Sequence, residues 1–483
     1  MIETVGHDPA QPRVTLDKDR TRAEEFAAMI CIQAPSPEAS QPGLSLTRNF
    51  VWTLCGNVIG SGCQWAVLVL LAKMESAKVV GDFALAAAVA VPIAFLGDFR
   101  LRVLFVTDAI NKYPFREILG LRFILSCFSL LAILATCGIA GYGRSTTLVT
   151  LIVGIAYIVD SISDTYYGRC QRAERMDQIA RSVIVRNVLS AIAFTLAVYF
   201  THRLVFGVCG LVLGRSLILL LYDAHTGAQG LCGNAVPNGP RQALHADFDA
   251  FRPTWNVRRQ LQMLWVALPL AICTMLVSVN GYVPRYLLDS FVGRRDVGLY
   301  AAINYIPSGC FLVATALGYA VFARLAKLYA KGDLAGFKRL LIKVAGLFAS
   351  LGVGGVLLSV IAGKQVLTLV YRAEYGQHAD LLRWLMIVGV VNCLTTAMQC
   401  GLTAAAEFRV QLLLFTGVTT ISLMGSAILI PRLGLIGAAQ AALISSIVQL
   451  CASTSLMFRT LGKRARELKN MECAQLETAL EVR

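Results

Sequence analysis

Asp160 and Asp164 stand four residues apart in a stretch that is otherwise apolar. That spacing puts both carboxylates on one face if the stretch is a helix. Arg215 sits about midway along a second apolar stretch, and Arg186 near one end of a third. A charge at the centre of a lipid bilayer costs about 2.5–3.5 kcal/mol on insertion scales, so such groups turn toward protein or water and find counter-charges. Asp160 and Arg215 fall at comparable depth in runs of the same direction, which predicts a buried Asp160–Arg215 pair. Arg186 is then placed to serve Asp164. Two readings of this intramembrane charge network stand side by side: it ties helices together, or it lines a path for a polar substrate.

Uncharged polar residues follow the same logic. Asn57 and Gln64 are seven apart and share a face, while Asn304, Asn392, Gln440 and Gln449 lie in later apolar runs. Amides join transmembrane helices at about 0.6 kcal/mol each, and they also suit sugar hydroxyls. Arg285 follows Pro284 just past the seventh run, on a segment expected to be an outer turn, where a positive charge runs against the usual bias. Guanidinium forks grip phosphate bidentately. Arg215 and Arg285, with Asn57, Gln64, Asn304 and Gln440, are therefore the candidate substrate-binding residues of a cavity. Arg100 and Arg102, after the second run, read as inner-surface anchors.

The elements that must carry these residues are twelve apolar runs, near 50–72, 79–99, 118–140, 147–166, 183–201, 204–222, 261–279, 297–322, 340–362, 381–399, 409–430 and 435–457. A helix needs roughly 20 apolar residues to cross a hydrocarbon core, and inside lipid the backbone must satisfy its own hydrogen bonds. The fold class expected is an all-α polytopic membrane protein with about twelve transmembrane helices. Composition agrees, with 56% hydrophobic and 15% charged residues and a mean hydropathy of +0.64.

The net charge of +15 follows from basic residues gathering on one side of the membrane, not from nucleic-acid binding. With the N-terminus inside, the inner segments hold 29 Lys and Arg and the outer turns 10. Both termini are thus expected on the cytoplasmic side. Most of the 14 cysteines lie within apolar runs as small fillers. No CxxC or Cys/His spacing suggests a metal or a cofactor, and Gly227–Gly233 lacks the ending of a P-loop. Residues 1–49 read as a disordered cytoplasmic tail without a signal core, translation starting at Met1 or Met29.

The chain divides into an N-lobe over 50–222, a cytoplasmic linker over 223–260, a C-lobe over 261–457 and a cytoplasmic tail over 458–483. The two lobes carry faint internal similarity. Val80-Gly-Asp-Phe-Ala84 opens the second run and Val297-Gly-Leu-Tyr-Ala301 the eighth, each with a later proline, Pro92 or Pro307. Leu204-Val-Phe-Gly207 opens the sixth run and Leu433-Gly-Leu-Ile-Gly437 the twelfth. Two six-helix lobes starting on the same side form a parallel repeat, and such repeats commonly hold substrate between them.

The segments Asn49–Asn57, Val80–Ala86, Gly97–Arg102 with Thr107-Asp108, Pro284-Arg-Tyr286, Val297–Ala302 and Arg324–Tyr329 with Phe337 are loose patterns. In them the chain resembles the polysaccharide transporters, the Wzx-like lipid-linked oligosaccharide flippases, of the multidrug/oligosaccharidyl-lipid/polysaccharide (MOP) exporter superfamily. The resemblance implies two six-helix lobes in a MATE-like V around a cavity. It implies a transporter, not an enzyme, that flips a polyprenyl-diphosphate-linked oligosaccharide from the inner to the outer leaflet of the bacterial inner membrane by alternating access, for surface or secreted polysaccharide. Implied partners are that glycolipid, membrane lipids, other polysaccharide-assembly proteins and a coupling ion, proton or sodium. Two rivals remain. A multidrug/cation antiporter of the same superfamily would use Asp160 and Asp164 to hold cations. A membrane-embedded polymerase or glycosyltransferase would need a larger outer loop than the short turns allow.

Overall fold

The computed structural model describes residues 45–108, 113–229, 253–330, 332–404 and 409–481. Residues 1–44 of the expected tail over 1–49, the alternative start Met29 and most of the linker, 230–252, lie outside the described residues, and Leu46–Asn49 are already helical. Among those described there is no strand. In the N-lobe the helices are α1 (Leu46–Met74), α2 (Ala77–Asp98), α3 (Leu101–Thr107), α4 (Phe115–Ile139), α5 (Arg144–Arg172), α6 (Met176–Thr201) and α7 (Leu204–Ile218). A π-helical turn, Leu219–Asp223, carries α7 into α8 (Ala224–Gln229). The C-lobe comprises α9 (Val257–Phe291), α10 (Arg294–Ala330), α11 (Leu334–Val370), the short α12 (Ala373–Gly376), α13 (Ala379–Ala404) and α14 (Arg409–Glu481).

Ten of these helical stretches are long and apolar enough to cross a membrane. The eleventh and twelfth expected runs share one of them, Leu412–Arg466, in which Gly434 turns the chain with φ of +57°. A left-handed conformation costs glycine little, and it lets one continuous helical segment double back as two spans. The run near 297–322 lies within α10, outside those ten. The protein is an all-α, multi-pass membrane protein.

Two faces are defined by the connections. The turn face carries the links α1–α2, α4–α5, α6–α7 and α9–α10, and the linker face carries α5–α6, α10–α11 and the connection from α8 to α9. Three segments differ from expectation. α9 continues through Pro284 to Phe291, so Arg285 lies in a helix and only Val292 and Gly293 make the turn. α11 runs past a kink at Ala362 to Val370, shortening the next turn. The expected tail from 458 continues α14 as helix to Glu481.

The internal repeat has a packing cause. α2 and α10 cross at Gly81 and Gly298, where a methyl added to Gly81 would overlap the Arg294 carbonyl and one added to Gly298 the Ala77 carbonyl. Each glycine therefore meets the residue four before the other, a reciprocal contact close to a two-fold arrangement. Gly207 lets α7 pack back on Val198 and Phe194 of α6, and Gly437 packs in the same way on Leu429 and Ile430. Around the α2–α10 crossing lies the largest apolar core, with Val80, Ala84, Val297, Ala301 and Ala302 all buried.

Candidate functional site

α5, α6 and α7 bring three charges together. Arg215 Nη1 donates to Asp160 Oδ2 at 2.7 Å, and Arg186 Nη1 stands 3.3 Å from Asp160 Oδ1. The second contact is an ion pair without hydrogen-bond geometry, since neither atom has a hydrogen-bond partner. The Asp160–Arg215 contact is therefore present, whereas the expected Arg186–Asp164 partnership is not. Asp164 instead accepts from Arg102 Nη1 at 2.8 Å, while Arg102 Nε donates to Gln171 Oε1 at 2.7 Å. The reason is geometric. α3 turns back after Phe99 and Arg100, both in left-handed conformation, and this brings Arg102 against the linker-face half of α5. Arg102 is thus a pairing residue inside the lobe and not a surface anchor.

Below this level lies a charge that sequence reasoning passed over. Arg122 of α4 is 1% exposed. It pairs with Asp98 at 2.9 Å, and its Nε donates to Thr165 Oγ1 at 2.9 Å. Its position inside the third apolar run was a visible signal of the same kind as Arg215.

A cavity opens between the lobes, lined from the N-lobe by Gln64, Tyr157, Asn187 and Arg215 and from the C-lobe by Tyr282, Arg285 and Tyr305. Of the six cavity candidates, the structure brings together Arg215, Arg285 and Gln64. Asn57, Asn304 and Gln440 are not among the lining residues. Asn57 is exposed, and it is Gly56 and Gly60 that pack against α6. Asn187 and the three tyrosines were not singled out from sequence, since apolar runs contain many such residues and only their rotation toward a shared space distinguishes them.

Arg285 is the least balanced group in this wall. It is 7% exposed, its Nε has no hydrogen-bond partner, and among the described residues no carboxylate lies within 4.0 Å of it. Its guanidinium sits 4.8 Å from the Tyr282 ring centroid, and that of Arg215 5.3 Å from Tyr157. Counting Asp160 against Arg186, Arg215 and Arg285, the site carries an excess of two positive charges. Buried charge without a partner is costly, so this arrangement favours an anion.

At the turn face the lobes are fastened. Arg294 of α10 pairs with Asp82 of α2 at 2.6 Å and with Asp289 of α9, and donates to Thr146 Oγ1 at 3.1 Å. Arg372 donates to the Lys73 carbonyl and, at 3.2 Å, to the Glu75 carbonyl. Tyr286 donates to the Ala88 carbonyl, between this clamp and the cavity. Towards the linker face, Arg259 pairs with Glu117 at 3.0 Å, where the start of α9 docks on α4.

Two helical lobes, clamped at the turn face and joined again where α9 docks on α4, enclose a basic cavity in a multi-pass membrane protein. Comparison of the fold agrees. An inward-facing multidrug resistance MATE family transporter of the MOP superfamily superposes with a TM-score of 0.59 at 13% identity, covering 90% of this chain and 98% of that one. The chain belongs to the polysaccharide biosynthesis protein family, whose model matches residues 46–329. Among similar proteins, the capsular polysaccharide biosynthesis protein CapF of Staphylococcus aureus is 24% identical over 410 residues, 84% of this chain and 97% of CapF. The probable flippase AglR of Haloferax volcanii is 29% identical over 188 residues, 38% of each chain.

Proposed function

We propose that this protein flips a polyprenyl-diphosphate-linked oligosaccharide from the inner to the outer leaflet of the bacterial inner membrane. The observation that carries this reading is Arg285, buried and without a counter-ion, facing Arg215 across a cavity that both lobes build. A diphosphate between two guanidiniums would supply the missing negative charge with bidentate geometry. Tyr157, Tyr282 and Tyr305 offer flat faces and hydroxyls to sugar rings, and Gln64 and Asn187 offer amides. The polyprenyl chain has no need of the cavity and stays in lipid. Alternating access would close the linker face as the Arg294–Asp82 clamp at the turn face opens. The 29-to-10 bias of basic residues between the expected inner segments and outer turns supports cytoplasmic termini, with the turn face outside. Family membership and the names of the similar proteins support a transport role in polysaccharide assembly, not a catalytic one.

A cation antiporter fits the site less well. Its candidate acids are already engaged, Asp160 by two arginines and Asp164 by Arg102. The test is glycolipid analysis in a strain lacking the gene, complemented with wild type, Arg215→Ala or Arg285→Ala. Diphosphate-linked repeat units trapped on the inner leaflet are expected in the null and in both variants, with surface polysaccharide lost. Arg285→Ala is expected to leave protein abundance unchanged, because no ion pair is broken. Normal surface polysaccharide with heightened sensitivity to cationic drugs would overturn the reading in favour of an antiporter.

A further inference from the structure

Asp223 ends the π-helical turn that follows α7 and is 3% exposed. The other aspartates of this lobe's interior each have an arginine: Asp98 has Arg122, Asp160 has Arg186 and Arg215, Asp164 has Arg102, and Asp177 has Arg175. Among the described residues Asp223 has none within 4.0 Å. Its carboxyl is held by hydroxyls. Ser182 Oγ bonds Oδ1, Tyr167 Oη reaches Oδ2 at 3.5 Å, and those two hydroxyls are 2.7 Å apart. The titratable and charged groups facing it are Tyr166, Tyr167 and Cys170 from α5, Arg186 from α6 and Tyr222 on its own turn. Of these, Arg186 is the cation, and it is occupied with Asp160.

We propose that Asp223 is a proton-binding site and that in this conformation it carries the proton. Burial in a membrane helix bundle with no paired cation disfavours the ionised form of a carboxyl. Hydroxyls donate or accept, so the Tyr167–Ser182–Asp223 chain accommodates either state without rearranging. Its oxygens are already in direct hydrogen-bond contact, which leaves no gap between them for a metal cation. π-helical turns frequently mark functional positions because they displace the helix's hydrogen-bond register.

The site connects to the cavity through charges. Ionised Asp223 attracts Arg186 away from Asp160, and Asp160 then depends on Arg215. Protonated Asp223 leaves Arg186 beside Asp160 at 3.3 Å, so Asp160 keeps a cation when Arg215 turns from it to an anion in the cavity. Proton binding at Asp223 and anion binding at Arg215 therefore favour each other, and linkage makes the effect reciprocal. The proton site does not depend on what the anion is.

The experiment is infrared spectroscopy of the full-length protein in nanodiscs across pH, with carboxyl-labelled aspartate to separate Asp from Glu. A protonated-aspartate carbonyl band is expected at neutral pH in wild type, lost in Asp223→Asn and shifted but retained in Ser182→Ala. Asp223→Asn keeps an acceptor for both hydroxyls. Should it fail to fold, Asp223→Glu serves instead, with the band moving from the aspartate to the glutamate signature. Absence of the band in wild type at neutral pH, or its survival in Asp223→Asn, would overturn the proposal. So would a spectrum that responds to sodium and not to pH, which would mark a cation site.

Discussion

Asp160 is the residue on which two arginines of the N-lobe depend, and the structure sets the scale of its loss. It balances two guanidiniums, at 2.7 Å to Arg215 and 3.3 Å to Arg186. Those side chains are 9% and 11% exposed, while Asp160 itself is 26% exposed. Removing one partner of a buried pair costs about 3–5 kcal/mol, because the survivor is left uncompensated. Asp160→Asn strands two cations, but its partial exposure lets water screen them, so we place the cost at ~3 kcal/mol, the low end of that range. Arg215→Met leaves Asp160 still paired with Arg186 and should cost only about 1 kcal/mol. Arg186→Met removes the longer contact and should cost no more than ~1 kcal/mol. Equilibrium unfolding of the purified protein in mixed micelles, followed by helicity, would rank the three. Arginine variants each as damaging as Asp160→Asn, or an Asp160→Asn variant within about 1 kcal/mol of wild type, would refute the shared-carboxylate arrangement. A charge swap, Asp160→Arg with Arg215→Asp, is expected to fail even though the contact exists, since Arg186 would then face a second arginine.

Two further outcomes follow from the packing. Gly81→Val or Gly298→Val puts methyl groups into the Arg294 or Ala77 carbonyl, so the turn-face clamp cannot close. Pulsed electron–electron distances between labels on the α1–α2 and α11–α13 turns should lengthen in either variant, and unchanged distances would show that the glycine crossing does not set closure. Arg122→Leu leaves Asp98 without its guanidinium and Thr165 without its donor. It should destabilise the N-lobe by about 3–5 kcal/mol, seen as loss of folded protein by fluorescence-detected size exclusion. Asp98→Asn with Arg122→Leu should recover part of that loss, and no recovery would count against the pair.

Much of this protein is fixed by chemistry that reads along the chain. Backbone amides inside lipid have no solvent to bond, so the apolar runs had to be helices. Charges such as Asp160 and Arg215 had to meet partners, because neither lipid nor an apolar core solvates them. The glycines at 81 and 298, and at 207 and 437, announced the repeat because close helix approach permits no side chain there. The partner chosen by each charge was not legible. Spacing along one helix gives a face but not the rotation of that helix against its neighbours. Arg186 thus reaches Asp160, and a two-residue left-handed corner delivers Arg102 to Asp164. Gln64 belongs to the cavity wall while Asn57, seven residues before it on the same face, lies two turns beyond that wall. The seventh apolar run stops near 279, yet α9 continues through Pro284 to Phe291 and carries Arg285 to the cavity. That the cavity holds a guanidinium without a counter-charge emerges only when both lobes are assembled, because the residues around it come from separate helices of both lobes, from Gln64 to Tyr305.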